Sequence, residues 1–196
     1  DARAAGEHFK TALARVGRNG HADERAKICA DWSLAAYQQG DVTDAHDLAA
    51  RAAKFARAAR DPRALAQAHN ILGILARAQN DLADARAHLE KSRQWADQLN
   101  DPSAQAAALN NLALVYRDEG AWAQAIALTR EALRLSEAQG DRHRAAALRN
   151  NLADLLHASG KSDEAMEFLK QAVAQFAEIG GEAGMYLPEI WKLVEW

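Results

Sequence analysis

Apolar residues recur along this chain at helical spacing, and the same arrangement returns every forty residues. The stretches 70–85, 110–125 and 150–165 read NILGILARAQNDLADA, NNLALVYRDEGAWAQA and NNLADLLHASGKSDEA. Their large apolar residues lie three or four positions apart, which places them on one face of a helix. The segments 21–60, 61–100, 101–140 and 141–180 align without a gap. A fixed period of this size predicts a helical solenoid.

Turn residues divide each forty-residue segment into two helices. Asp61-Pro62 and Asp101-Pro102 pair a residue that caps helix N-termini with a proline suited to the first helical turn. Residues that tolerate left-handed backbone geometry lie in the middle of each segment, at Gly40, Asn80, Gly120 and Gly160. Each segment is therefore predicted to be a helical hairpin, whose first and second helices we name helix A and helix B.

Small and large apolar residues alternate in columns along the repeats, and their order resembles the tetratricopeptide repeat. The third segment carries the resemblance best, through Leu112, Ala113, Tyr116, Ala125, Thr129 and Ala132. It departs from the family pattern at Thr129, where a large apolar residue is usual, and the period is forty residues where thirty-four is typical. The long period resembles the subclass found in kinesin light chain, spindle-orientation adaptors, bacterial peptide-sensing regulators and the sensor domains of MalT-like STAND ATPases.

The resemblance implies an all-α fold, a right-handed superhelix or α-solenoid of antiparallel helical hairpins. Residues 1–20 would be the second helix of an incomplete repeat, followed by four repeats over 21–60, 61–100, 101–140 and 141–180. Residues 181–196 fall outside the repeat register but contain the amphipathic stretch LPEIWKLVEW. This tail is expected to form a helix that caps the last repeat, with docking to a partner or parent protein as the alternative.

Polar residues on the predicted A helices indicate a ligand-binding face. The column Ala30, Asn70, Asn110 and Asn150 is followed four and seven residues later by two further columns, and this spacing keeps all three on one helix face. By the resemblance, this face lines a concave groove. The predicted ligand-binding residues are Leu34, Tyr37, Asn70, Ile74, Arg77, Asn110, Leu114, Arg117, Asn150, Asp154 and His157.

The two adjacent asparagines of a repeat are expected to have different roles. Asn70, Asn110 and Asn150 would offer amide donors and acceptors to the main chain of an extended peptide, unless they bond to neighbouring helices or water. Asn111 and Asn151 are expected to tie one repeat to the next. Arg77 and Arg117 would bind an acidic ligand group or be balanced by acidic neighbours such as Asp118 and Glu119. The lysine and asparagine carboxylate clamp of chaperone-binding relatives does not resemble these columns.

Composition argues against several other classes of protein. The net charge of −3 and the interspersed basic residues do not suggest a nucleic-acid partner, and no apolar run is long enough to span a membrane. The single cysteine, Cys29, excludes an intrachain disulfide and suggests a cytoplasmic protein. The seven histidines show no metal-ligand spacing, and GEHFKT at residues 6–11 lacks the spacing of a phosphate-binding loop. We therefore expect no metal, no cofactor and no enzymatic activity in this chain.

Because the sequence begins at Asp1 inside a helical pattern, we expect a piece of a longer protein. Its richness in alanine and arginine suggests a bacterial source. The favoured function is a sensor domain that binds a peptide or protein ligand in its groove, within a STAND-type signalling ATPase whose nucleotide site lies elsewhere. If the tail docks instead of capping the last repeat, it would contact other domains of that parent protein. The alternative is a constitutive adaptor that joins protein partners without changing shape.

Overall fold

The computed structural model describes the backbone of residues 2–16 and 21–183, and the side chains of residues 6–16 and 21–180. These residues form α-helices joined by short turns, and the described part of the chain contains no strand. The predicted all-α fold of helical hairpins is confirmed. The helices are α1 (Ala2–Val16), α2 (Ala22–Gln38), α3 (Val42–Ala59), α4 (Pro62–Ala78), α5 (Leu82–Gln98), α6 (Pro102–Asp118), α7 (Trp122–Ala138), α8 (Arg142–Ala158) and α9 (Ser162–Ala183).

The A helices α2, α4, α6 and α8 each have seventeen residues and begin at positions 22, 62, 102 and 142. The B helices α3, α5, α7 and α9 follow them. Helix α9 has 22 residues and continues through Gly180 and Gly181, although the repeat register ends at Gly180. The nearest proline, Pro188, comes later, so nothing in these residues removes a helical hydrogen bond. Most of the predicted capping helix, including Trp191, lies outside the described residues.

Left-handed backbone geometry ends the A helices as predicted. The φ angles of Gly40, Asn80, Gly120 and Gly160 are 82°, 63°, 76° and 82°. The same geometry also occurs between repeats, where the sequence analysis did not predict it, at Arg60, Asn100 and Gly140. A non-glycine residue costs free energy in this region, so the turns at Arg60 and Asn100 are held by the helices on either side.

Aspartate side chains cap the helices that follow these turns. Asp61 Oδ1 accepts hydrogen bonds from the backbone N–H groups of Arg63 and Ala64, with Pro62 in the first helical turn. Asp101 Oδ1 accepts one from Ala104 N–H at 3.1 Å. The predicted caps at both Asp-Pro pairs are therefore confirmed, and each satisfies backbone donors that the helix itself leaves unpaired.

The chain divides into two compact units, Asp1–Ala104 and Gln105–Trp196, here named unit 1 and unit 2. Each unit has its own apolar core between its helices. In unit 1 the core includes Leu48, Ile71, Leu72, Leu75 and several buried alanines. In unit 2 it includes Leu109, Leu148, Leu152, Leu155 and Leu156. No helix in the described ranges is long and apolar enough to cross a membrane.

Small side chains let the two helices of a hairpin pack closely, as the small columns predict. A Cβ atom at Gly73 of α4 would lie 2.4 Å from Leu89 Cγ and 3.1 Å from the carbonyl oxygen of Ala85, both on α5. In the same column, buried Ser33 donates a hydrogen bond of 2.6 Å to the carbonyl oxygen of Ala45. These positions are small because a neighbouring helix occupies the space that a larger side chain would need.

Candidate functional site

The predicted ligand-binding residues all lie on A helices, and each of them is half-buried. In unit 1, α2 carries Leu34 and Tyr37, and α4 carries Asn70, Ile74 and Arg77. In unit 2, α6 carries Asn110, Leu114 and Arg117, and α8 carries Asn150, Asp154 and His157. Within each helix the intervals of four and seven residues keep these side chains on one face. Their intermediate exposure leaves polar atoms in reach of solvent while the stems pack against neighbouring side chains.

Arg117 forms an ion pair with Asp118, the next residue of α6. Its Nε and one terminal nitrogen donate hydrogen bonds of 3.1 and 3.0 Å to Asp118 Oδ1. The predicted alternative, in which an acidic neighbour balances the arginine, is therefore what the structure has at this position. An acidic ligand group at Arg117 would have to compete with the Asp118 carboxylate.

In unit 2 the asparagines of successive repeats meet directly. Asn151 Nδ2 on α8 donates a hydrogen bond of 3.0 Å to Asn110 Oδ1 on α6. This bond joins a second asparagine to the first asparagine of the preceding repeat, so Asn151 links two repeats as expected. It also fixes the orientation of the Asn110 amide, because the carbonyl side of that amide is held by Asn151.

The linked asparagines line a small cleft of about 160 Å³, which we name the asparagine cleft. It lies between α6 and α8, and its lining residues are Ala107, Asn110, Asn111, Arg144, Ala147, Leu148 and Asn151. Alanines at 107 and 147 leave the space above the asparagine side chains open. The cleft therefore presents amide and guanidinium groups beside a partly apolar floor, a combination that suits a peptide segment.

The sequence analysis did not predict a role for Arg144. Asp141 caps α8 by accepting a hydrogen bond from Arg144 N–H, and the Arg144 side chain lies 3.5 Å from Asp141 Oδ2. The cap therefore holds the guanidinium near the cleft. The available signal was the spacing, because Arg144 lies seven residues before Asn151 and so projects from the same face of α8.

Unit 1 brings together two histidines that sequence spacing had left apart. His69 Nδ1 on α4 lies 2.9 Å from His88 Nδ1 on α5, and His88 Nε2 lies 3.6 Å from Asp84 Oδ2. Burial, aided by the nearby His88, lowers the pKa of His69 to about 4, and burial also lowers the pKa of His88. Both rings are therefore neutral at pH 7, so one Nδ1 donates to the other.

The described side chains do not form a metal site, and their one cysteine is buried. No three histidine, cysteine or acidic side chains within 6–16 and 21–180 are placed to hold a metal ion. Cys29 is buried, and burial raises the pKa of its thiol. A thiol in this environment is a weak nucleophile, and Cys29 packs in the core of unit 1.

Comparisons with known proteins agree with the helical-repeat architecture. Residues 104–178 match the tetratricopeptide repeat family model. No curated protein sequence matches the chain. Among solved structures, BtubC from P. vanneervenii is similar with a TM-score of 0.79 and 18% identity, over 96% of this chain and 77% of that protein.

Two further solved structures are similar to this chain in fold. A Rap protein complexed with Competence and Sporulation Factor has a TM-score of 0.81 and 20% identity over 88% of this chain, which spans 48% of that protein. A STAND protein with a tetratricopeptide repeat sensor, from Pyrococcus horikoshii, has a TM-score of 0.73 and 15% identity over 86% of this chain, which spans 26% of that protein. Together the comparisons show a fold of the tetratricopeptide type, with the family's sequence pattern over residues 104–178.

Proposed function

We propose that this chain is a protein-interaction module that binds an extended peptide segment along the faces of its A helices. The observation that carries the proposal is the asparagine cleft, where Asn151 orients the Asn110 amide at the surface of unit 2. A side-chain amide carries both a donor and an acceptor, as does each peptide group of an extended chain. Asn110 Oδ1 accepts from Asn151, so the Nδ2 of Asn110 is the group that would donate to a ligand carbonyl.

The cleft is too small for a folded partner, so the proposed contact is with main-chain atoms and one or two side chains. Arg144 adds a cation beside the amides, and an acidic ligand group there would share that cation with Asp141. Asn150, in the same column of unit 2, would contact a further residue of the same ligand. A peptide read mainly through its main chain is bound with modest sequence preference.

The finer part of the proposal is that peptide binding serves as the sensing step of a larger STAND-type signalling ATPase of MalT-like plan. The fold similarity to the STAND protein of Pyrococcus horikoshii and to the Rap protein complexed with Competence and Sporulation Factor supports this role. A ligand that contacts two repeats favours one packing of those repeats over others, and connected domains would respond to that change. A constitutive adaptor would instead bind its partners with no change in repeat packing.

A selection from a displayed peptide library tests the binding proposal. Peptides enriched on the wild-type chain are synthesised, and their affinities are compared between wild type and Asn110→Ala. We expect affinity to fall about three- to tenfold, because one or two hydrogen bonds are lost. Gln124→Ala, an exposed amide on the B helix α7, is the matched control and should bind as wild type does. Equal affinity for both variants would refute the proposed site.

Hydrogen exchange of the peptide-bound chain separates sensor from adaptor. A sensor is expected to show altered protection in helices that do not touch the peptide, because repeat packing changes. An adaptor is expected to show protection only at the helices in contact with the peptide.

A further inference from the structure

Unit 1 contains a second cavity, larger than the asparagine cleft and sharing no residue with the predicted ligand-binding columns. Its volume is about 410 Å³, and its walls come from the end of α3, the first half of α4 and the end of α5. We name it the arginine pocket; its lining residues are Arg57, Arg60, Pro62, Leu65, His69, Trp95 and Gln98. This volume is typical of pockets that hold small organic molecules.

The pocket combines an apolar wall with two cations. Trp95 and Leu65 belong to one apolar cluster of unit 1, and Pro62 adds a further apolar surface. Arg57 and Arg60 are exposed, and neither forms an ion pair with a carboxylate in the described part of the chain. An anion entering the pocket would therefore meet two guanidinium groups without displacing an internal partner.

The bond to His88 determines which nitrogen of His69, a pocket-lining residue, can accept a hydrogen bond. The Asp84 carboxylate favours a proton on His88 Nε2, which leaves His88 Nδ1 as an acceptor for His69 Nδ1–H. His69 Nε2 is then an unprotonated acceptor. His69 is only 6% exposed and lines the pocket, so this nitrogen is the ring atom that remains for a ligand hydroxyl or N–H group.

At the equivalent positions of unit 2, the charged side chains pair with one another. Eighty residues after the pocket residues lie Glu137, Gly140, Arg142, Ala145, Arg149, Gln175 and Glu178. Arg149 donates to Glu137 and to Gln175, and Arg142 pairs with Glu178. Cation and carboxylate thus satisfy each other within unit 2. In unit 1, Arg57 occupies the position that Glu137 has in unit 2, and no carboxylate among the described side chains pairs with Arg57.

We propose that the arginine pocket binds a small organic carboxylate with an apolar, aromatic-sized body. Arg57 and Arg60 receive the carboxylate, which takes the electrostatic place that Glu137 and Glu178 hold in unit 2. Trp95, Leu65 and Pro62 pack against the apolar body, and His69 Nε2 accepts a hydrogen bond from ligands that carry a donor. Such a ligand would use both parts of the pocket, its carboxylate at the two arginines and its apolar body at the Trp95 indole.

Titration calorimetry with 2-naphthoate as the probe tests this site, with neutral 2-naphthamide as its matched ligand control. We expect naphthoate to bind the wild-type chain at least about tenfold more tightly than the amide, because charge-assisted bonds are lost in the latter. The variant Arg57→Gln/Arg60→Gln should lose the same factor for naphthoate and leave the amide unaffected. Arg51→Gln/Lys54→Gln removes equal charge from exposed positions of the same helix and should bind naphthoate as wild type does.

A second variant imports the residues of unit 2. Arg57→Glu with His69→Arg places a carboxylate and a guanidinium where unit 2 has Glu137 and Arg149, and it should abolish naphthoate binding by closing the pocket. Three results would overturn the proposal: no binding of naphthoate to wild type at millimolar concentration, equal affinity for acid and amide, or equal loss in the pocket and control arginine variants. Circular dichroism of each variant verifies that it is folded.

Discussion

The arginine pocket of unit 1 and its counterpart in unit 2 occupy the same positions of the repeat and differ in how charge is satisfied. In unit 2, Arg149 donates hydrogen bonds to Glu137 and Gln175, so its charge is satisfied by side chains of the chain itself. In unit 1 the corresponding residues are His69, Arg57 and Trp95, and they surround an open cavity. The repeat backbone fixes where these side chains lie, and their chemistry decides whether a junction is structural or able to bind a ligand.

The histidine pair sharpens the same contrast. One repeat later, forty residues along the chain, the positions of His69 and His88 are held by Leu109 and Leu128 of unit 2, which are apolar and pack in its core. Two neutral imidazoles must hydrogen-bond to each other to be buried at acceptable cost, whereas two leucines need only pack. Unit 1 therefore contains a polar element that packing alone does not require.

The largest expected effect is on pH-dependent stability. The pKa of His69 is lowered to about 4 in the folded chain from an ordinary value of 6.5, so the unfolded chain binds more protons between these values. Stability contributed by neutral His69 is therefore full above about pH 6.5 and is lost as the pH falls toward 4. From pH 7 to pH 5 we expect a loss of about 2 kcal/mol in the free energy of unfolding, measured by urea denaturation.

The variant His69→Leu/His88→Leu gives unit 1 the leucines of unit 2 and is the control for this titration. It should lose clearly less stability over the same pH interval. An identical pH dependence in wild type and variant would show that the histidine pair does not distinguish the two units.

A smaller change in stability is expected from enlarging Gly73, whose neighbour Leu89 is large. Gly73 faces Leu89 in unit 1, while the equivalent Ala153 of unit 2 is buried in the same hairpin as Leu169. Gly73→Ala should destabilise the chain by about 1 kcal/mol, because crowding against Leu89 costs more than the gain of about 1 kcal/mol in helix propensity. Thermal or urea unfolding measures it.

The double variant Gly73→Ala/Leu89→Thr copies Ala113 and Thr129 of unit 2 and tests the cause. Adding Gly73→Ala should cost less when residue 89 is threonine than when it is leucine. If the cost is the same in both backgrounds, the contact with Leu89 is not what keeps residue 73 small.

The smallest expected effect is the difference in stability between two arginine variants, about 0.5 kcal/mol. Arg149 is 17% exposed and bonds to Glu137 and Gln175, so Arg149→Leu should destabilise the chain by about 1 kcal/mol. Arg57→Leu, at an exposed position without an ion pair in the described residues, should change stability by less than about 0.5 kcal/mol. Equal costs for the two substitutions would contradict the contrast between a closed and an open junction.

The sequence predicts the helices well because their signals are local and periodic. The Asp-Pro caps and the left-handed residues at 40, 80, 120 and 160 each depend on a few neighbouring residues, and they repeat. Of the left-handed residues between repeats, Arg60 carries no signal in its residue type. Asn100 and Gly140 carry the same signal as Asn80 and Gly120, but these boundaries were assigned from the Asp caps alone.

The two cavities are harder to predict because they depend on side chains from several helices. The spacing on one helix placed Asn110 on the right face, but the bond to Asn151 required the distance between α6 and α8. The arginine pocket departs from the repeat pattern, because the residues at the positions of His69, Trp95 and Arg57 differ in chemical type among the repeats. Comparing positions eighty residues apart would have revealed that departure, but not the cavity it creates.

The most direct test of the peptide-binding account replaces single amides of a selected peptide with esters. An ester removes the N–H donor and weakens the adjoining carbonyl acceptor, so it probes main-chain contacts without altering side chains. At one peptide position, the ester should weaken binding to the wild-type chain by about three- to tenfold and have little further effect on binding to Asn110→Ala. The same loss for wild type and variant at every position would contradict the proposal that Asn110 binds the peptide main chain.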